Sequence, residues 1–493
     1  MRTRRLLFAW VLAAGAAWAA PPAPAHGKRK AAVACAAKQP RQPPEAGPAL
    51  RLAGGACVGP KANATTAPDS ASSGSRTRIW YAAQWNLITQ HNPPFPAAYS
   101  GRNSFRNTAD TAASTVETIF AGIRLTHDLE FLYDEESSAG TGLSGTVGLA
   151  GFPNLDAVRT ASGPGLSAAP YPARGMLHWN IGLGGAKTEN APNYLELAPE
   201  LDSRRIELYF GKMSLADFFD TNAYASSDHQ QFMNWTADND GAWDYAANTR
   251  GYTYAAYGEY DDGPWTLRFA EALMTRLPNQ EYLSLDLGTF RAENAEADWA
   301  YAPGSNGVVR VLFFDDHARM GSFAAALAAW RAGQTRRPDV NAVAVPASEY
   351  GFAANWQQAV GPDLGLFARA GWNNGAEESY SYTEVNNTVE IGAQIAGRLW
   401  RRSADHAGVV WISNGISAAH QAYLAAGGLG FQLGDGGLSY GRERIEEIYY
   451  NIHIWRGLGI SPDIQFFKNP GYNQVRGPLV VYGVRLHLHL GPS

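Results

Sequence analysis

Near the end of the chain, Val480, Tyr482, Val484, Leu486, Leu488 and Leu490 alternate with Val481, Gly483, Arg485, His487 and His489. A period of two places the sets on opposite faces of an extended strand, one apolar and the other mostly polar or small. The pattern recurs. Ile448, Tyr450, Ile452 and Ile454 oppose Glu447, Tyr449, Asn451 and His453, and Tyr350, Phe352, Ala354 and Trp356 oppose Glu349, Gly351, Asn355 and Gln357. Val389, Ile391 and Ile395 oppose Glu390, Gln394 and Arg398, while Ile206, Leu208 and Phe210 oppose Arg205 and Glu207. Each segment has about the ~9 to 11 residues that a tilted strand needs to cross a bilayer. From Arg76 onward such stretches are separated by Gly, Asn, Asp and Pro, the punctuation of strands and turns.

A soluble sandwich would alternate too, so the polar face and the strand ends discriminate. The polar face carries large charged residues with Gly and Ala, as expected for a water-filled lumen. The ends carry Trp80, Tyr81, Trp330, Trp372, Trp400, Trp411 and Trp455, residues suited to the headgroup levels of a bilayer. The fold expected is all-β: a transmembrane antiparallel β-barrel of roughly 16 to 18 strands, closed so that no edge is left in lipid.

Composition fits that division of faces. The 493 residues are 45% hydrophobic and 17% charged, too polar for a helical membrane protein, and 52 Gly, 23 Tyr, 20 Phe and 15 Trp favour strands with aromatic rims. Length alone suggests roughly two to three domains, but continuous alternation makes residues 76–493 one barrel. With 40 Lys plus Arg against 45 Asp plus Glu, no global field holds a phosphate backbone, so no nucleic acid partner is expected.

The first residues indicate export. Arg2, Arg4 and Arg5 precede an apolar run, and Ala17-Trp18-Ala19 offers a cleavage pattern, so residues 1–19 read as a signal peptide, with cleavage as late as residue 25. Residues 20–75, rich in Ala and Pro, lack the side chains needed to build a core and are expected to form a disordered periplasmic linker. Cys35 and Cys57 lie in this stretch; an oxidising compartment permits their pairing, but it would not staple the barrel.

Three groups of motifs carry a resemblance. The run GKMSLADFFDTNAYASSDHQQFMNWTADNDGAWDY (Gly211 to Tyr245), continued by TRGYTYAAYGEY to Tyr260, resembles the central signature of the carbohydrate-selective porins, the OprB-like family. SPDIQFFKNPGYNQVRGPLVVYGVRLHLHL (Ser461 to Leu490) is similar to their C-terminal signature, and the stretches Phe95 to Phe105 and Leu143 to Pro153 resemble further family segments. The resemblance implies an outer-membrane barrel, about 16-stranded in the family, that passes mono- and short oligosaccharides passively through a constriction of arginines and carboxylates. Carbohydrate solutes and outer-membrane lipid are the partners implied; whether barrels join as a homotrimer is left open. The chain departs from the family in its long Ala/Pro extension and in ending on Leu490-Gly491-Pro492-Ser493 instead of an aromatic residue, which bears on folding efficiency and not on channel chemistry.

A sugar offers hydroxyls that donate and accept and ring faces that stack on aromatics. Strand parity nominates Arg205, Glu207, Arg268, Arg369, Glu390, Arg398, Glu447 and Arg485 as pore-lining. The polar stretch Asp217 to Arg250 is expected at or in the pore mouth, with Phe232, Trp235, Trp243 and Tyr245 as stacking residues; an extracellular loop closed on itself is its competing reading. No catalytic residue, cofactor or metal is expected. Asp238, Asp240, Gly241 and Asp244 match a calcium loop poorly, and His487 and His489 lack a third ligand. Gly437-Leu438-Ser439-Tyr440-Gly441 matches the hydrolase nucleophile pattern, but so near the C-terminus it has no room for the remaining sheet. The competing functions are a secreted, soluble β-rich protein that binds or cleaves carbohydrate, and a general non-selective porin.

Overall fold

The computed structural model describes residues 78–161 and 166–491. The expected signal peptide, the linker and both cysteines lie outside these residues. Strands β1 (Ile79–Asn92), β2 (Asp110–Arg124), β3 (Leu129–Gly140) and β4 (Tyr171–Gly182) are followed by a short separate hairpin, β5 (Lys187–Glu189) and β6 (Glu200–Asp202). The wall continues with β7 (Arg204–Met213), β8 (Thr253–Asp262), β9 (Trp265–Leu273), β10 (Arg291–Ala302), β11 (Gly307–Met320) and β12 (Val345–Val360). It ends with β13 (Leu364–Asn373), β14 (Asn387–Ala396), β15 (His406–Gly415), β16 (Glu443–Trp455), β17 (Leu458–Lys468) and β18 (Leu479–Leu490).

Without the β5–β6 hairpin these form a closed antiparallel barrel of 16 strands. β4 pairs directly with β7, and β18 closes on β1 with Leu87 opposite Leu486. Closure leaves the wall without an open sheet edge, which strands in hydrocarbon require. The parity read from the sequence is the parity of the wall: Tyr482 and Val484 point outward at 51% and 50% exposure, whereas Arg485 between them and the lumen is buried. Outside, Leu267, Phe269, Phe313, Phe352, Ile391 and Ile448 continue the apolar band. That band rules out the soluble reading, since a monomeric soluble protein does not expose a continuous apolar girdle.

Trp372, Trp400, Trp411 and Trp455 do sit on the outside, joined by Trp179, Trp265 and Trp299, the last two stacked at 5.9 Å. Two expected rim residues fall elsewhere. Trp80 has inward parity and packs on Phe120 at 6.5 Å, and Trp330 belongs to a loop helix, Phe323–Arg331.

The two barrel ends differ. One carries tight turns such as 263–264, 361–363 and 456–457; the other carries 93–109, 141–170, 214–252, 321–344 and 416–442. In outer-membrane barrels short turns face the periplasm and long loops the exterior. On the long-loop side, helices Phe323–Arg331 and Ala418–Ala425 pack through Phe323, which stacks on His420 at 4.2 Å. No helix among the described residues is long and apolar enough to cross a membrane. Gly437–Gly441 lies in loop and leads into strand β16, not into the helix that a nucleophile elbow requires.

Candidate functional site

Residues 214–252 do not arch over the barrel; they fold into it. An irregular segment placed there carries backbone groups that no ladder satisfies, and these need partners. The wall supplies them as charges. The Glu447 carboxylate accepts hydrogen bonds from the Met233 and Asn234 amides at 2.6 and 3.2 Å. Arg369 donates to the carbonyls of Ala225 and Ala237 at 3.0 and 2.9 Å, and pairs with the Asp220 and Glu390 carboxylates at 3.1 and 2.9 Å. Arg485 donates to the carbonyls of Asp228 and Gln231 at 2.6 and 2.9 Å. In the other direction, Asp244 of the segment accepts the amides of Tyr380, Ser381 and Tyr382 from a neighbouring loop.

Locally the segment is built by caps and aromatic packing. The Asn234 side chain accepts from the Thr236 amide and starts a single helical turn, Trp235–Asp238. Trp235 stacks on Tyr382 at 5.7 Å and 10°, and its indole donates to the Asn154 carbonyl. Trp243 donates to Asn294 on β10, and Phe232 packs edge-on against Tyr449 at 4.8 Å.

Two wall glycines make room for the segment. A Cβ on Gly365 would lie 2.1 Å from the Tyr224 ring, and one on Gly371 would lie 2.0 Å from Asp240 Oδ1.

The nominated charges therefore divide. All four of Arg369, Glu390, Glu447 and Arg485 face inward; Arg369, Glu447 and Arg485 hold the inserted segment, and Glu390 pairs with Arg369. Arg205, Glu207 and Arg268 face inward along β7 to β9 in a ladder with Glu259, Asp261, Glu296 and Asp298; Arg268 reaches Glu259, Glu296 and Asp298 within 2.8 Å. Arg398 falls outside the parity that nominated it. β14 ends at Ala396, and Arg398 sits in the turn beyond, half exposed and paired with Asp363 at 2.7 Å. Phe232, Trp235, Trp243 and Tyr245 are buried with protein rings against them, so they pack the segment instead of presenting a stacking face. The physical reason is that large apolar rings are what an irregular insert has for a core.

A further set of inward groups also keeps access to water. Arg159, Arg174, Asp217, Asp228 and His229 keep between 10% and 20% of their side-chain surface accessible inside the barrel. Arg174 on β4 grips Asp217 and also pairs with Asp134 at 2.9 Å, and its guanidinium lies 4.9 Å from the Tyr194 ring centre. His229 sits 3.6 Å from Asp156 and 3.7 Å from Asp228, its ring stacked 5.5 Å from His487. Cations and carboxylates thus converge in a water-accessible part of the barrel, offering hydrogen-bond donors and acceptors beside the Tyr194 ring. Apart from its place in the polar stretch 217–250, this set had no periodic signal, because its members come from two loops and one strand.

Burial alone would neutralise the loop groups here. For His229 burial lowers the pKa, but Asp228 and Asp156 outweigh it and hold the imidazole above its ordinary value. For Asp156 burial acts upward, and His229 and Arg159 more than reverse it, keeping the carboxyl well below the usual range. Deeper in the segment, burial and then the Asp220 carboxylate push Asp240 up to about 8.

The family model of the carbohydrate-selective porins, OprB family, matches residues 102–490, more than half of the chain. The chain belongs to that family. Its barrel is an outer-membrane channel, and the family and fold are those of a carbohydrate porin and not of an enzyme. Among solved structures, the high-pH structure of Pseudomonas putida OprB is similar with a TM-score of 0.62 at 15% identity, covering 84% of this chain and 94% of that one. The outer membrane channel DcaP of Acinetobacter baumannii aligns with a TM-score of 0.46 at 10% identity, covering 84% of this chain and 97% of that one. No curated protein matches by sequence.

Proposed function

We propose that this porin passes mono- and short oligosaccharides by passive diffusion, and that the passage runs between the inserted segment 214–252 and the wall around β4 and β18. The observation that carries the reading is the partly exposed group Arg174, Asp217, Asp228 and His229 inside the barrel, with the Arg174 guanidinium over the Tyr194 ring. Neutral sugars gain from such a site because paired charges orient hydroxyls without imposing a net charge on the solute. Arg205, Glu207, Arg268, Arg369, Glu390, Glu447 and Arg485 contribute in two ways: the first three set the field along one wall, and the rest fix the segment that narrows the lumen.

Liposome swelling with glucose, a disaccharide and a similar-sized amino acid tests the reading. Faster sugar entry supports it; equal rates leave a general porin. Export by the signal peptide at 1–19 belongs to the same proposal and is checked by sequencing the mature N-terminus. A homotrimer is the oligomeric form proposed, and cross-linking in detergent reads it.

A further inference from the structure

The short-turn end holds a second buried cluster, which shares only Glu207, paired with Arg205, with the wall charges described above. Beyond β5, residues 190–199 turn into the barrel, burying Leu195 and Leu197 and bringing Glu196 against the wall. The turn is fixed by the Leu197 amide donating to Glu130 at 2.8 Å, by the Tyr209 hydroxyl donating to the Leu195 carbonyl at 3.1 Å, and by the Ala198 amide donating to Glu196 Oε1.

Glu196 thereby meets His178 of β4. Donor atoms of Glu130, His178 and Glu196 lie within 4.8 Å of one another, and all three side chains are fully buried. Nδ1 of His178 lies 3.2 Å from Glu130 Oε2, which leaves Nε2 to face two further carboxylates. Nε2 points between Glu196 Oε2 at 3.7 Å and Glu207 Oε2 at 3.5 Å, and it makes no hydrogen bond. Those separations are too long for a hydrogen bond. They do match the edge of a coordination tetrahedron: ligands at about 2.0 to 2.2 Å from a zinc ion lie about 3.4 Å apart. The carboxylate on Nδ1 is the outer partner that a metal-bound imidazole ordinarily has, and Tyr209, stacked on His178 at 4.0 Å, fixes the ring plane.

We propose that His178 Nε2, Glu196 and Glu207 bind a zinc-class divalent cation, with Glu130 orienting the imidazole. The ion joins residues 190–199 to β4 and β7, and so clasps this inward turn onto the barrel wall. The sequence expectation of no metal rested on the loop acids Asp238, Asp240 and Asp244 and on His487 and His489, all elsewhere in the chain; Glu196 comes from a turn that alternation does not register.

The test is a titration of the folded, chelator-treated porin in detergent with zinc chloride, followed by calorimetry and by protease digestion of residues 183–203. One zinc per chain is expected, with slower cleavage of that turn when zinc is present. His178→Ala and Glu196→Gln should abolish binding, and Glu130→Gln should weaken it about 10- to 100-fold. Wild-type protein that binds no zinc, or calcium in preference to zinc, overturns the proposal. So does His178→Ala with unchanged affinity. If His178→Ala does not fold, the wild-type titration and Glu196→Gln decide, because the latter keeps the side chain's size and loses only its charge.

Discussion

Arg174 holds Asp217 by two parallel hydrogen bonds, Nε to one carboxylate oxygen and Nη2 to the other, each 2.7 Å long. One residue belongs to the wall and the other opens the inserted segment, so this fork fixes where the insert leaves the barrel wall. Both keep some access to water, which places the fork beside the proposed solute path.

Asp217→Asn removes one fork tooth and the charge. Hydrogen bonds to charged groups contribute about 1.5 to 3 kcal/mol, so the segment entrance should loosen while the barrel persists. Single-channel recording is expected to show larger, noisier conductance and a smaller difference between sugar and amino acid in swelling assays. Unchanged traces would separate the fork from the passage.

Arg369→Ala acts on the anchor. It leaves the Asp220 and Glu390 carboxylates buried without their cation, a change that typically costs about 3 to 5 kcal/mol. The expected result is a folded barrel that converts to the unfolded gel form at lower temperature, with residues 214–252 newly open to protease. A wild-type transition temperature would mean the anchor is redundant.

Gly371→Ala approaches the same segment from the wall. Its Cβ would displace Asp240, and overpacking of this kind costs about 1 to 3 kcal/mol. Altered conductance with intact strand pairing is expected, and a crystal structure or cysteine cross-linking between wall and segment would register the shift.

His229 is expected to make conductance pH-dependent. Its pKa is raised in the folded state, so the contact with Asp156 and Asp228 contributes fully below about pH 6.5 and is lost as pH rises through the folded value. Asp156, held low, contributes fully above its ordinary value and loses its contribution only as pH falls through the depressed one. Conductance should therefore hold steady at mildly acid pH and change on the alkaline side of about 6.5. His229→Gln should flatten that step, and a step that survives in the variant assigns it to another group.

Arg398→Ala is the contrasting case. Its guanidinium is half exposed in a turn, where substitutions usually stay within about 0.5 kcal/mol. Sugar flux and thermal stability should both match wild type, and a clear change in flux would place this turn in the path.

The wall was legible because a membrane barrel writes its two solvents into alternate residues. Tyr482, Val484 and Leu486 declare the lipid side, and Arg485 the inner one, without knowledge of any partner strand. Alternation reports a direction, however, and not what lies there. Arg369 and Glu447 point inward as expected, yet the backbone of residues 214–252 occupies the space they face, and that depends on a segment far away in sequence. Glu196 and Asp217 are the sharper instances. Neither sits on a periodic element, and each acquires its role only when a turn or loop folds against β4. The sequence by itself determined the barrel, its closure and the sidedness of the strands that alternate cleanly, since these follow from local periodicity and solvent. Only the tertiary structure decided which inward charges anchor the insert and which stay open to water, because that depends on where the loops insert.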